Sequence, residues 1–247
     1  MPLPRIACFH GGGSNSQIYE MQCCQLAELL KHDFQLVYFD GPFDRPAGPG
    51  VLPAFRDYGP YHSWFKTDTS SILGSLCGSE RSDGSGFDEQ NTDGVERVLT
   101  LMANDKTGAG GPWVGAIGFS QGSRVVGGLL LAQQQRQQQQ EKQQEKQQES
   151  SRTNIRLQFG VLCMGSGAPM ESKGVKSSEL VRMPTLHVHG LKDMFLPLGR
   201  HQFSTYYDTE RAQLYEVDYH HAMPWVKHEA QELAALMRKL YRETKDA

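Results

Sequence analysis

The stretch Trp113-Val114-Gly115-Ala116-Ile117-Gly118-Phe119-Ser120-Gln121-Gly122-Ser123-Arg124-Val125-Val126 decides how this chain is read. Trp113 to Ile117 is a short apolar run of strand character, and Ser123 to Ala132 reads as the start of a helix. Between them Gly118-Phe119-Ser120-Gln121-Gly122 is a G-x-S-x-G motif, and strand, sharp turn and helix are the setting in which it becomes a nucleophile elbow. The glycines are required because a Cβ at either position would strike the crossing strand or helix. The Ser120 hydroxyl then stands clear of the backbone at the edge of a sheet. The plainer reading is a glycine-rich turn with a serine capping a helix.

Working outward, apolar strand-like runs recur along the chain. Ile6 to Phe9 comes first and ends in His10-Gly11-Gly12-Gly13-Ser14-Asn15. Ser16 is expected to cap a helix from about Gln17 to Lys31, and Gln35 to Phe39 is a second strand closed by Asp40-Gly41-Pro42. Residues 43–90 are rich in Gly, Pro, Ser and Asp and read as a long excursion over the sheet edge, with a helix from near Phe87 to about Asn104. After the elbow, strands are expected at Leu157 to Met164, Pro184 to Gly190 and Gln213 to Val217, with helices at Leu198 to Tyr207 and Trp225 to Tyr241. Strands alternating with helices predict an α/β fold with a mostly parallel sheet covered on both faces. One domain over residues 1–247 is expected, interrupted by a low-complexity Gln/Glu/Lys insertion at about 133–152. That tract has no apolar residue to bury, so it is read as a solvated overrun of the helix after Ser120, with an interaction tract as the alternative.

Composition narrows the function classes. The formal net charge is −3, without the clustered basic face of a nucleic-acid binder. No apolar stretch approaches a membrane span, and the N-terminus has no signal-peptide pattern, so a soluble cytoplasmic protein is expected. Five cysteines without C-x-x-C spacing argue against a disulfide framework or a zinc site. Cys8 and Cys163 are expected in the core, along with at least one of Cys23 and Cys24. His187 and His189 alternate with apolar residues in a strand and are read as satisfied interior residues. No metal and no cofactor are expected.

A serine hydroxyl needs a base and an oxyanion site to act as a nucleophile. In a parallel sheet, ligands collect at the carboxyl ends of the strands. Asp193 follows one such end and the pair His220-His221 follows another, giving the order Ser, Asp, His expected of this elbow. The Gln121 backbone N–H is one expected oxyanion donor. The other lies in His10-Gly11-Gly12-Gly13, with Gly12 favoured and Gly11 and Gly13 as alternatives, which makes His10 a loop-positioning residue. Substitution of the Gln121 side chain is expected to matter less than displacement of its amide. Trp64, Phe65, Met194, Phe195 and Met223 are candidates for an apolar acyl pocket, with plain core as the alternative for each.

Taken together, Phe9-His10-Gly11, Phe39-Asp40-Gly41-Pro42, Ser63-Trp64-Phe65, the Ser120 elbow, Phe159 to Ser166, Pro184 to Val188 and His221-Ala222-Met223-Pro224 resemble the small fungal and eukaryotic serine hydrolases of the FSH type. These include thioesterases and hydrolases of fungal polyketide pathways. The family's terminal signature resembles G-H-x-x-P, which matches its histidine to His221 and departs at His220. The resemblance implies an α/β-hydrolase fold and cleavage of an ester or acyl thioester through an acyl-Ser120 intermediate. For a subset of that family it implies release of a polyketide chain from an acyl carrier protein, by hydrolysis or lactonisation, and these outcomes stay open for this sequence. A general carboxylesterase, a low-turnover ligand-binding protein of the same fold, and a scaffold using the Gln-rich tract are the alternatives.

Overall fold

In the computed structural model, residues 2–66, 93–106, 110–143, 155–172 and 179–245 are described. Their elements run β1 (Arg5–Phe9), α1 (Ser16–Gln22), α2 (Cys24–Leu30), β2 (Gln35–Phe39), β3 (Phe43–Arg45), β4 (Tyr61–Ser63) and α3 (Gly94–Asn104). They continue with β5 (Trp113–Phe119), α4 (Gly122–Gln143), β6 (Phe159–Cys163), β7 (Thr185–Gly190), α5 (Leu196–Tyr206), β8 (Ala212–Val217) and α6 (Lys227–Lys245). Six strands pair in parallel in the order β2-β1-β5-β6-β7-β8. β5, β6 and β7 are buried along their whole length, as strands in the middle of a two-sided parallel sheet must be.

Alternation along the strands divides the core between the two faces. Ile6, Cys8, Ile117 and Val161 meet Tyr19 and Leu26 of α1 and α2 and Leu233 and Met237 of α6. Ala7, Phe9, Ala116 and Leu162 meet Val98 of α3 and Val125, Val126 and Leu129 of α4. The pairings Phe9↔Gly118, Phe119↔Cys163, Cys163↔Val188 and Gly190↔Val217 bring the carboxyl ends of five strands to one rim.

Several expected boundaries change. The helix expected over 17–31 is broken at Cys23. Its cap is Asn15, whose side chain accepts from Ile18 N–H, while the backbone and hydroxyl of Ser16 donate to the Asp40 carboxylate. Cys8, Cys23 and Cys163 are buried and Cys24 is exposed, and Cys77 lies outside the described residues. α3 begins at Gly94, because Asp93 accepts from Val95 and Glu96 N–H. Residues 87–92 of the helix expected there lie outside the described set. α5 starts two residues early, on a proline in its first turn. α6 starts two residues late, beyond exposed Trp225 and Val226. The short antiparallel pair β3–β4 was not foreseen in the loop-like composition of 43–66.

The glutamine tract needs the largest correction. α4 does overrun to Gln143, yet its first glutamines are built into the protein. Gln133 donates to Leu157 C=O and accepts from Leu157 N–H, each at 2.8 Å. Gln134 donates to Leu180 C=O and accepts from Arg182 N–H. An amide carries both a donor and an acceptor, so it can stand in for a neighbouring strand and still be buried.

Candidate active site

Ser120 sits directly after β5 with φ at 51°, a left-handed conformation that a non-glycine residue adopts only where its surroundings enforce it. The two glycines explain the enforcement. A Cβ on Gly118 would collide with the Gly122 carbonyl, and a Cβ on Gly122 with the Phe9 carbonyl. β1, β5 and α4 therefore approach one another too closely for any other residue. Ser120 N–H donates to Cys163 C=O at 2.9 Å, which ties the turn to β6.

Asp193 lies in the turn between β7 and α5. Its Oδ1 accepts from Phe195 N–H at 2.8 Å, and its Oδ2 lies 2.7 Å from His221 Nδ1. The other ring nitrogen, His221 Nε2, is 3.1 Å from Ser120 Oγ. The carboxylate side chain is 3% exposed and the imidazole 16%, so the carboxylate is sealed while the ring still reaches the cleft. The Phe119 and Phe195 rings flank His221 at 5.0 and 4.9 Å. Its loop is fixed to that of Asp193 by Lys192 N–H donating to Tyr219 C=O and by the Lys192–Asp218 ion pair. His220, in contrast, stacks on Tyr219 and is exposed. Its φ is not positive, so a side chain fits where the family signature has glycine.

The loop after β1 is held from three sides. Gly13 N–H donates to His62 C=O of β4 at 2.8 Å, so that amide is already committed. His10 Nε2 accepts from Gly41 N–H at 2.9 Å, which puts its proton on Nδ1, where it donates to Gly11 C=O at 2.7 Å. Burial drives the His10 pKa down to about 4 and keeps the ring neutral, as this bonding requires. Trp64 Nε1 donates to His10 C=O. The Gln121 side chain is also buried, and its Oε1 accepts from Trp64 N–H at 2.9 Å and from Ser63 Oγ at 3.1 Å. Beyond its backbone amide, Gln121 thus fastens the 43–66 segment to the elbow through its side chain.

A cleft of about 170 Å³ opens over Ser120, lined among others by Gly11, Gly12, Gln22, Arg45, Val51, Gln121, Phe195, His220 and His221. Of the five acyl-pocket candidates, Phe195 alone is among these lining residues. Trp64, Phe65 and Met223 are 1%, 0% and 2% exposed and belong to the core, where Arg124 lies over the Phe65 ring and Tyr19 donates to the Met223 sulfur. Met194 is 73% exposed. Sequence reading missed Arg45 and Val51. Their one signal was Gly48-Pro49-Gly50, a close turn within reach of a glycine-rich loop. Among the described residues, no three His, Cys, Asp or Glu side chains group as a metal site, and no helix is long and apolar enough to cross a membrane.

The profile of the family described as serine hydrolase (FSH1) matches residues 1–233. A probable esterase of Aspergillus terreus is 32% identical over 246 residues, covering 96% of this chain and 89% of that protein. Esterase FUS5 of Gibberella moniliformis is 35% identical over 193 residues, covering 78% and 68%. Among solved structures, SOBER1 of Arabidopsis thaliana superimposes with a TM-score of 0.55 at 16% identity, covering 96% of this chain and 98% of that one. That likeness is one of fold, and the architecture is the α/β-hydrolase fold.

Proposed function

This chain belongs to the serine hydrolase (FSH1) family, and from that premise we propose that it cleaves a carboxylic ester or acyl thioester through Ser120, His221 and Asp193. The observation that carries the reading is the single imidazole within hydrogen-bond reach of both Ser120 Oγ and the sealed Asp193 carboxylate. Asp193 holds the proton on Nδ1, leaving Nε2 to take the hydroxyl proton as Oγ attacks the acyl carbon. The protonated ring then donates to the departing alcohol or thiol. Water, or a hydroxyl of the acyl chain itself, attacks the acyl-Ser120 with His221 again as base, releasing an acid or a lactone and restoring the serine.

Gly12 and Gln121 N–H are the proposed oxyanion donors. In a trans peptide the N–H points opposite the preceding C=O. With the Gly11 carbonyl tied back to His10, the Gly12 N–H faces the other way, and Gly13 is already bonded to His62. The substrate proposed is an acyl chain of a polyketide, delivered by an acyl carrier protein. The landmarks shared with fungal polyketide-pathway hydrolases support this, while the esterase names of the relatives support ester cleavage as such.

The test is intact-protein mass spectrometry with a fluorophosphonate and then with a panel of acyl thioesters and oxygen esters. The wild type should gain one adduct, and Ser120→Ala none. Trapped acyl masses name the substrate class, and the released product separates hydrolysis from cyclisation. Unchanged turnover by Ser120→Ala would remove the proposal.

A further inference from the structure

Arg45 ends β3 and lines the same cleft as Ser120, Gln121 and His221. A Cβ on Gly12 would stand 2.6 Å from Arg45 Nη1, so the guanidinium packs directly against the glycine proposed as oxyanion donor. Its position is set by the fold. Arg45 pairs with Tyr61 of β4. The next residue of β4 fastens the hairpin to the oxyanion loop twice, through Gly13 N–H to His62 C=O and His62 N–H to Ser14 C=O. No carboxylate lines the cleft among the described residues, and Arg45 is the one permanently charged side chain there.

Direction follows from the chemistry. The leaving group takes its proton from His221, so it departs on the imidazole side. With the carbonyl oxygen facing the proposed donors Gly12 and Gln121, the acyl chain is the remaining substituent and leaves the carbonyl carbon away from the imidazole, within a cleft whose charged wall is Arg45. A guanidinium carries five N–H donors in a planar fork, a geometry matched by carboxylate oxygens, and engaging one substrate group needs only part of that set.

We propose that Arg45 is a specificity residue selecting substrates whose acyl portion ends in a carboxylate a few carbons from the scissile carbonyl. This rests on the Ser120 hydrolase reading and adds the substrate's charge to it. The group that touches the substrate's reacting atoms remains Ser120, and Arg45 grips the far end of the acyl chain.

Two esters of equal length separate the proposal from a general electrostatic role: the 4-nitrophenyl monoester of glutaric acid and 4-nitrophenyl pentanoate. The wild type should prefer the glutarate ester in kcat/KM, and the preference should shrink with added salt. Arg45→Gln should lose about 10- to 100-fold on the glutarate ester, mainly in KM, with the pentanoate ester little changed. Arg45→Lys should keep part of the preference, as a point charge without the fork. Glutarate itself, followed by calorimetry, should bind the wild type about tenfold or more tightly than Arg45→Gln, a readout that needs no turnover. Equal losses on both esters would assign Arg45 to the oxyanion loop and overturn the proposal. Equal glutarate binding by the two proteins would also overturn it. Fluorophosphonate labelling of Ser120 in Arg45→Gln keeps the two readings apart. Retained labelling without charge selectivity sinks only the role of Arg45, whereas absence of labelling in the wild type sinks the hydrolase reading.

Discussion

Two groups of histidines occupy the same sheet under opposite rules. At the carboxyl rim, His10 and His221 each have both ring nitrogens engaged. Inside β7, His187 and His189 are 0% and 2% exposed. His187 Nδ1 and both nitrogens of His189 have no hydrogen-bond partner among the described residues. Thr185 Oγ1 stands 3.2 Å from His187 Nε2. The rings of Phe203 and Tyr207 pack edge-on around the pair. The expectation that these interior histidines are satisfied is therefore corrected: they are interior, but desolvation rather than bonding keeps them neutral. It carries the His187 pKa down to about 3 and lowers that of His189. Aromatic surroundings do not separate the groups, since His221 also lies between two phenylalanines. A partner on both ring nitrogens does, and in His221 those partners are a carboxylate and a hydroxyl.

The comparison breaks most readily at Asp193. Asp193→Asn leaves the shape intact but favours the wrong tautomer of His221, and turnover should fall about 10⁴-fold, read as kcat with a reactive ester. His187→Leu should leave kcat nearly unchanged, and a comparable fall there would erase the distinction between the groups. His10 comes next. His10→Phe frees the Gly11 carbonyl, so kcat should drop about 10²-fold with KM little altered, while His10→Asn, which can still donate to that carbonyl, should recover part of the loss.

The interior group should show itself in stability rather than rate. Below their ordinary value of about 6.5, these imidazoles gain protons on unfolding that they refuse while folded, so the unfolded state binds more protons. Stability is then complete above about pH 6.5 and is lost as pH falls from there toward about 3 for His187, and the buried rim residue His10 adds a loss of the same sign that ends near pH 4. Urea midpoints measured from neutral pH down to about pH 5 should decline, and His187→Leu should flatten the slope. The smallest effect concerns the tract read as solvent. Gln133→Ala leaves the N–H and C=O of Leu157 unpaired and should cost about 1–3 kcal/mol with activity preserved, whereas Gln138→Ala should change the urea midpoint little.

Short runs dominated by apolar residues between glycine turns were enough to place all six strands of the sheet within a residue or two, and even in β7 the polar Thr185, His187 and His189 alternate with apolar residues and so keep the strand pattern. Ser120, Asp193 and His221 were legible for a related reason: each directly follows or closely trails a strand end, and parallel strands bring those ends together. What could not be read depends on contacts distant in sequence. Nothing local in Phe43-Asp44-Arg45 announces a strand, and its pairing with Tyr61 to Ser63 is visible only once the loop after β1 reaches across to His62. The Gln133 and Gln134 side chains, read as part of a solvated tract, were misjudged. Composition counts glutamine as surface, but an amide that meets a backbone N–H or C=O can be buried without penalty.

Ser120 and His221 reach the cleft from unequal ground. β5 lies mid-sheet, whereas the loop carrying His221 hangs from β8, the outermost strand, with Leu214 open to solvent and pairing on one side only. Peeling that single strand would carry the imidazole away from a serine still locked in place. Gentle heating should thus silence the molecule while most of its secondary structure survives, with amide exchange fastest along residues 212–217.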